Sequence, residues 1–381
     1  MKNMYPVTNL WYYIKRAYKI LIHIISGIMM VLYLLKGELT SMRVIACSLV
    51  FFLAMHASYW LQIILHELGR FVCGLLSGYR FGYLQLFGFR LQKINGQLST
   101  KRKHDKDPVH YLLAPPETDF KNFPVRLYFL GGFIANILFI LIFLGAAFRF
   151  PGMSLPRFLL LQYVFISIPY VLIYGMPIQL SGARTETYNA LTIPTDYRSR
   201  CAYFIPRLIS YHMLNGIRLR DMPEEWFYLP TREEMFSVMH SRLASYYVDW
   251  LIEKGRYTEA DAVIDSIYSL EDYRIKNIFT TLLFLNKIFL ILVHTKKYEQ
   301  MKTYLSDAQK KRMVRFGSEL SVKRTQYIIA LLYEKDMEKA AYLKSVFLAS
   351  KSQFYPTEYE SELELIEIAE ACAKKEAENI E

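Results

Sequence analysis

The chain has 381 residues, of which 53% are hydrophobic, 15% aromatic and only 21% charged. It is long enough for two domains and too apolar for an ordinary soluble protein. Its net charge of +11 divides unevenly: residues 1–180 hold 18 Lys and Arg against 6 Asp and Glu, whereas residues 181–381 hold 28 against 29. A basic excess confined to the apolar part reads as charge flanking membrane spans and argues against a nucleic-acid-binding surface.

Four spans are expected, over about residues 18–35, 44–76, 125–148 and 158–180. Each supplies the roughly 20 residues of helix that cross about 30 Å of hydrocarbon. The second is too long for one straight crossing and should tilt, kink or project. The first lacks a small-residue cleavage site and reads as an anchor that is retained. Basic residues cluster before span one, in the 79–126 loop (nine of them) and after span four. The positive-inside rule then puts the N-terminus, that loop and the C-terminal part in the cytoplasm of a multi-pass cell-membrane protein. The four scattered cysteines form neither a zinc knuckle nor a disulfide framework.

Within span two stands "HELGR", His66-Glu67-Leu68-Gly69-Arg70, one residue away from HExxH. In that motif two histidines at i and i+4 share a zinc ion and the glutamate acts as general base. Further on, "FRLQKINGQLSTKRK" alternates around Asn95-Gly96, a type I′ hairpin signal. "APPETDFKNFPVRLYFLGGFIAN" ends in Gly131, Gly132 and Asn136, and "SGARTETYNAL" carries Glu186.

In this order the pieces resemble the site-2 protease family of intramembrane zinc metalloproteases, over roughly residues 44–195. The resemblance implies a membrane-associated β-hairpin that presents substrate as an added strand. It also implies a supporting small-residue-plus-Asn helix at Gly131, Gly132 and Asn136. His66 and Glu186 would be metal ligands, and Glu67 the base or its vestige. Arg70 departs from the pattern where the second histidine belongs. A guanidinium has only donors and does not deprotonate in proteins, so it replaces a ligand without replacing its chemistry. His56, His104 and His110 are the nearby substitutes; His56 is too far along the helix, and the other two lie in the basic loop. The favoured expectation is therefore no bound cofactor, with Arg70, Glu67 and Glu186 as an ion cluster in place of zinc.

From about Pro194 the composition turns to mixed charge with helical periodicity. Three segments aligned on Tyr257, Tyr298 and Met337 recur after 41 and 39 residues, each reading as the turn of a helical hairpin, with the small Ala260 and Ala340 in two of them. They resemble irregular tetratricopeptide-like repeats, which imply a peptide or protein partner. "NIFTTLLFLNKIFLILV", residues 277–293, is apolar enough to suggest a fifth span, but its central Lys287 favours a buried hairpin helix.

The expected architecture is an all-α polytopic membrane domain with a small β-hairpin (residues 1–193), followed by a cytoplasmic helical-repeat domain (194–381). The expected function is that of a non-catalytic site-2-protease-like protein that binds a membrane peptide or partner. The alternatives are an active divergent zinc metalloprotease acting on membrane-embedded or leader peptides, and a membrane-anchored interaction scaffold. The resemblance further points to Gram-positive bacterial members involved in peptide maturation.

Overall fold

The computed structural model describes residues 6–35, 37, 40–102, 108–117, 120–152, 154–180, 183–269 and 278–378. Two compact units divide the chain, residues 1–93 with 98–200 and residues 94–97 with 201–381. The boundary near Arg200 falls a few residues beyond the composition shift at Pro194.

The first unit contains helices α1 (Pro6–Leu34), α2 (Ser41–Leu76), α3 (Arg126–Ala147), α4 (Leu155–Gly175) and the short α5 (Glu186–Thr192). Four stretches, Tyr12–Leu34, Ser41–Leu76, Arg126–Ala147 and Leu155–Gly175, are long and apolar enough to cross a membrane. Their bounds differ from the expected spans by a few residues. Helix α2 runs unbroken for 36 residues, about 54 Å at 1.5 Å per residue and well beyond a hydrocarbon core of about 30 Å. Thr40 caps its start by accepting from the Arg43 amide. At its other end Gly78 turns the chain at φ +89°, a backbone conformation that side chains resist. Helices α1, α2 and α4 join through Tyr18, Ile22, Met55, Ile166 and Tyr170, and again through Met29, Phe51 and Phe158. Helix α3 packs on both α2 and α4.

Between α2 and α3 the expected hairpin is part of a larger sheet. Strands β1 (Arg80–Leu86), β2 (Phe89–Ile94), β3 (Gln97–Arg102) and β4 (Val109–Ala114) form one antiparallel sheet in the order β3-β2-β1-β4. Asn95 and Gly96 both have positive φ, 48° and 83°, as a type I′ turn requires. Strand β4 escaped the sequence reading because Leu112, Leu113 and Ala114 are buried in succession, and β1 because its pairing with β4 shifts register between Phe81 and Tyr83, at Gly82. Such an irregularity breaks the alternation by which a strand is recognised. A two-residue pair, β5 (Gln179–Leu180) with β6 (Ala183–Arg184), leads into α5.

The second unit is helical: α6 (Tyr197–Leu214), α7 (Val238–Glu253), α8 (Tyr257–Tyr268), α9 (Ile278–Leu290), α10 (Met301–Tyr304), α11 (Asp307–Arg315), α12 (Leu320–Ile328), α13 (Met337–Ala349) and α14 (Pro356–Glu378). The three aligned segments share a local geometry. Gly255, Lys296 and Lys335 each stand two residues before an alignment point, and each has φ between 54° and 73°. Three residues after those points lie Ala260, Met301 and Ala340, all buried. Helix α9 is not among the four span-length helices. It lies buried within this unit, and its Lys287 ammonium pairs with Asp261 at 2.7 Å and Asp265 at 2.6 Å.

A buried polar chain runs through the centre of this unit. Asn286 donates to Asp249 (2.6 Å) and accepts from Arg324 (3.2 Å), whose Nε lies 2.9 Å from a Glu362 oxygen. Burial pushes the Asp249 carboxyl up to about 7, with the Glu362 carboxylate adding to that and Asn286 and Arg324 opposing it. A carboxyl whose pKa is higher folded than unfolded stabilises the fold fully below about pH 4 and loses that contribution as pH rises through about 7. Thermal unfolding of the full chain should therefore give a lower Tm at pH 8 than at pH 5, and Asp249→Asn should remove most of that difference.

Candidate functional site

His66, Glu67 and Arg70 lie on the same stretch of α2. The helical repeat puts His66 and Arg70 on one face, four residues apart, with Glu67 within reach of Arg70. Helix α3 comes very close to this face. A Cβ on Gly132 would fall 2.5–2.6 Å from three atoms of the His66 ring, and one on Gly131 would fall 2.6 Å from both Cys73 Cβ and the Gly69 carbonyl oxygen. Only glycine permits that approach. It brings Asn136 to His66, whose Nδ1 is 3.1 Å from the Asn136 amide nitrogen.

Helix α5 supplies the opposite wall. Thr185 caps it by accepting from the Tyr188 amide and anchors it by donating to the Met176 carbonyl at 2.8 Å. This sets Glu186 at the first helical position, where a carboxylate is favoured. One Glu186 oxygen is 3.3 Å from His66 Nε2 and the other 2.9 Å from Arg70 Nη1. The same Arg70 nitrogen lies 3.3 Å from Glu67, and its second terminal nitrogen donates to the Tyr128 hydroxyl at 3.3 Å. Burial alone would raise the Glu186 carboxyl, but the Arg70 charge and the His66 hydrogen bond outweigh it and hold the group at about 2. The polar set closes consistently when Asn136 donates to His66 Nδ1 and His66 Nε2 donates to Glu186.

All seven residues singled out in the sequence therefore meet: His66, Glu67, Arg70, Gly131, Gly132, Asn136 and Glu186. Of the other histidines, His110 lies on β4 and helps to line the adjoining cavity. His56 is on α2, with its ring bonded back to the Phe52 carbonyl, and His104 lies outside the described residues. The sequence reading missed the tyrosines. Tyr128 holds Arg70 from α3, and Tyr170 and Tyr174 pack on the His66 ring at 5.6 and 6.2 Å between centroids. The four-residue spacing of Tyr170 and Tyr174 was the available signal, masked by the abundance of tyrosine in the chain.

Zinc, implied by the resemblance, can be tested against these side chains. His66 Nε2 and the nearer Glu186 oxygen, 3.3 Å apart, are spaced as two corners of a tetrahedron with bonds of about 2.0–2.2 Å. The third corner is a guanidinium, which donates to the carboxylates that would otherwise face the metal. Among the described residues no group of three or more His, Cys, Asp or Glu side chains could hold a metal ion. The donor set does not fit a resident zinc.

Beside the cluster opens a cavity of about 810 Å³. His66, Glu67 and Glu186 line it together with Tyr18, Tyr59, Tyr170 and Tyr174. Lys15, Arg16 and Lys19 of α1 contribute as well, as do Pro108, Val109 and His110 at the start of β4, an edge strand of the sheet.

Comparison with protein-family models, curated proteins and solved structures finds no match to this chain.

The close approach at Gly132 has a direct consequence. Gly132→Ala should destabilise the protein by about 1–3 kcal/mol, because the added methyl meets a buried ring that cannot retreat. Gly145→Ala, on the same helix with open space around it, should be neutral or slightly stabilising in the same unfolding measurement in detergent.

Proposed function

We propose that this chain is a membrane-inserted, non-hydrolytic protein of the site-2-protease type, which holds an extended membrane peptide in the cavity beside β4. One observation carries the reading: the Arg70 guanidinium lies 2.9 Å from Glu186 and 3.3 Å from Glu67, occupying with its own charge the place where a metal would be needed. The four apolar helices support insertion, and the charge distribution favours a cytoplasmic N-terminus, sheet and helical unit.

Without a metal to activate water, Glu67 has no hydrolytic role, and it serves instead as a partner of Arg70. Binding remains available. An edge strand offers backbone donors and acceptors to an added strand. The tyrosine-lined cavity combines apolar ring faces with hydroxyl groups for side chains entering from the membrane. The helical unit, with its hairpin-like turns, is suited to a second protein contact.

Metal content and cross-linking test this together. The purified protein should carry well under one zinc ion per chain, and Arg70→His should raise that to about one. A photoreactive residue at Tyr174 should capture a peptide segment of a membrane protein, while one at Leu138, on the outer face of α3, should capture only lipid. Stoichiometric zinc in the unaltered protein, or lipid adducts alone at both positions, would contradict the reading.

A further inference from the structure

The cavity beside the Arg70 cluster is lined by charges of two kinds. Its carboxylates are already engaged. Arg70 Nη1 stands 3.3 Å from Glu67 and 2.9 Å from Glu186, and His66 lies 3.3 Å from Glu186. Its cations are on α1, where Lys15, Arg16 and Lys19 are exposed and border the cavity together. Neither Arg16 nor Lys19 has a carboxylate partner among the described residues.

We propose that the peptide held in this cavity is an acidic one, whose Asp or Glu side chains pair with Lys15, Arg16 and Lys19. This rests on the peptide-binding reading above and goes beyond it by naming the chemistry of the occupant.

The placement of the cations is the first reason. A helix turns about 100° per residue, so positions 15, 16 and 19 all fall within about 100° of one another around α1. Tyr12 lines the same cavity and falls inside the same arc. Charge that only flanks a membrane span needs no such focus, because headgroups surround a helix on every exposed side. Here all three cations face one concave space.

Charge balance is the second reason. Three cations stand against two carboxylates that Arg70 and His66 already satisfy, so the lining attracts an anion and repels a further cation. The cavity also reaches Pro108, Val109 and His110 at the start of the edge strand β4. A peptide can use both features, its backbone pairing with the strand edge while its carboxylates meet α1. An anionic lipid headgroup would meet the cations but has no backbone to offer the strand.

The test uses the full chain in phosphatidylcholine vesicles, with a photoreactive residue at Tyr174. Synthetic peptides with one apolar stretch followed by two Glu, two Gln or two Lys compete in pairs. Adducts are counted by mass and corrected for the amount of each peptide bound to vesicles. The Glu peptide should be captured about fivefold more than the Gln peptide at low salt, and the Gln peptide more than the Lys peptide. Both ratios should fall toward one at about 1 M salt. Lys15→Gln/Arg16→Gln/Lys19→Gln should abolish the Glu preference. Arg149→Gln/Arg157→Gln, which removes cations of the same unit that do not line the cavity, should retain it. Equal capture of the Glu and Gln peptides by the unaltered protein would overturn the proposal while leaving peptide binding intact, and this comparison needs no variant of the cations. A preference that survives the triple variant, or that the distal pair abolishes, would overturn it too. Equal capture together with retention of phosphatidylglycerol that the triple variant loses would assign the cations to anionic lipid instead. Capture of none of the three peptides would overturn this proposal and the peptide-binding reading together.

Discussion

The ion pair between Arg70 and Glu186 is the constraint on which the first unit depends. Helix α2 supplies the guanidinium, α5 supplies the carboxylate, and Tyr128 on α3 completes the set. An unpaired charge at such a partly buried position would cost several kcal/mol, so each member needs the others in place. The glycines of α3 and the Thr185 cap of α5 then acquire one physical purpose. They bring two separate elements close enough for a fixed cation to be shared by two carboxylates.

A bound divalent ion and a guanidinium solve the same electrostatic problem differently. The metal accepts lone pairs from several ligands at about 2 Å and leaves a position open for water. Arginine, tethered to its own helix, donates along fixed directions and leaves no such position. Exchanging one for the other preserves attraction among the surrounding anions while removing the means to activate water. Around His66 the guanidinium and the Glu186 carboxylate tie α2 to α5. The neighbouring cavity is lined by Tyr18, Tyr59, Tyr170 and Tyr174.

The legibility of this fold in its sequence follows physical lines. Long apolar runs with flanking charge were readable because span length is set by bilayer thickness, and four helices of that kind are present. The Asn95-Gly96 turn was readable because two consecutive positive φ angles demand those residues. Strand β1 was not, since the irregularity at Gly82 interrupts its alternation, nor was β4, whose Leu112, Leu113 and Ala114 are buried in succession. The cluster was legible from motif order, and His66, Glu67, Arg70, Asn136 and Glu186 do meet. Tyr128, Tyr170 and Tyr174 were not foreseen, because in a chain with 30 tyrosines no single one stands out until packing selects it. The polar chain of Asp249, Asn286, Arg324 and Glu362 was equally hidden, since it joins four helices distant in sequence.

The most direct test of the central claim is a double-mutant cycle on unfolding free energy in detergent, combining Arg70→Met with Glu186→Gln. Each single change leaves a partly buried charge without its partner, so each should destabilise, and the double variant should recover much of the loss. A coupling of about 1.5 kcal/mol or more is expected for charges in contact. Additivity within about 0.5 kcal/mol would mean that the two residues do not depend on one another, and the account of an arginine in the metal's place would be wrong.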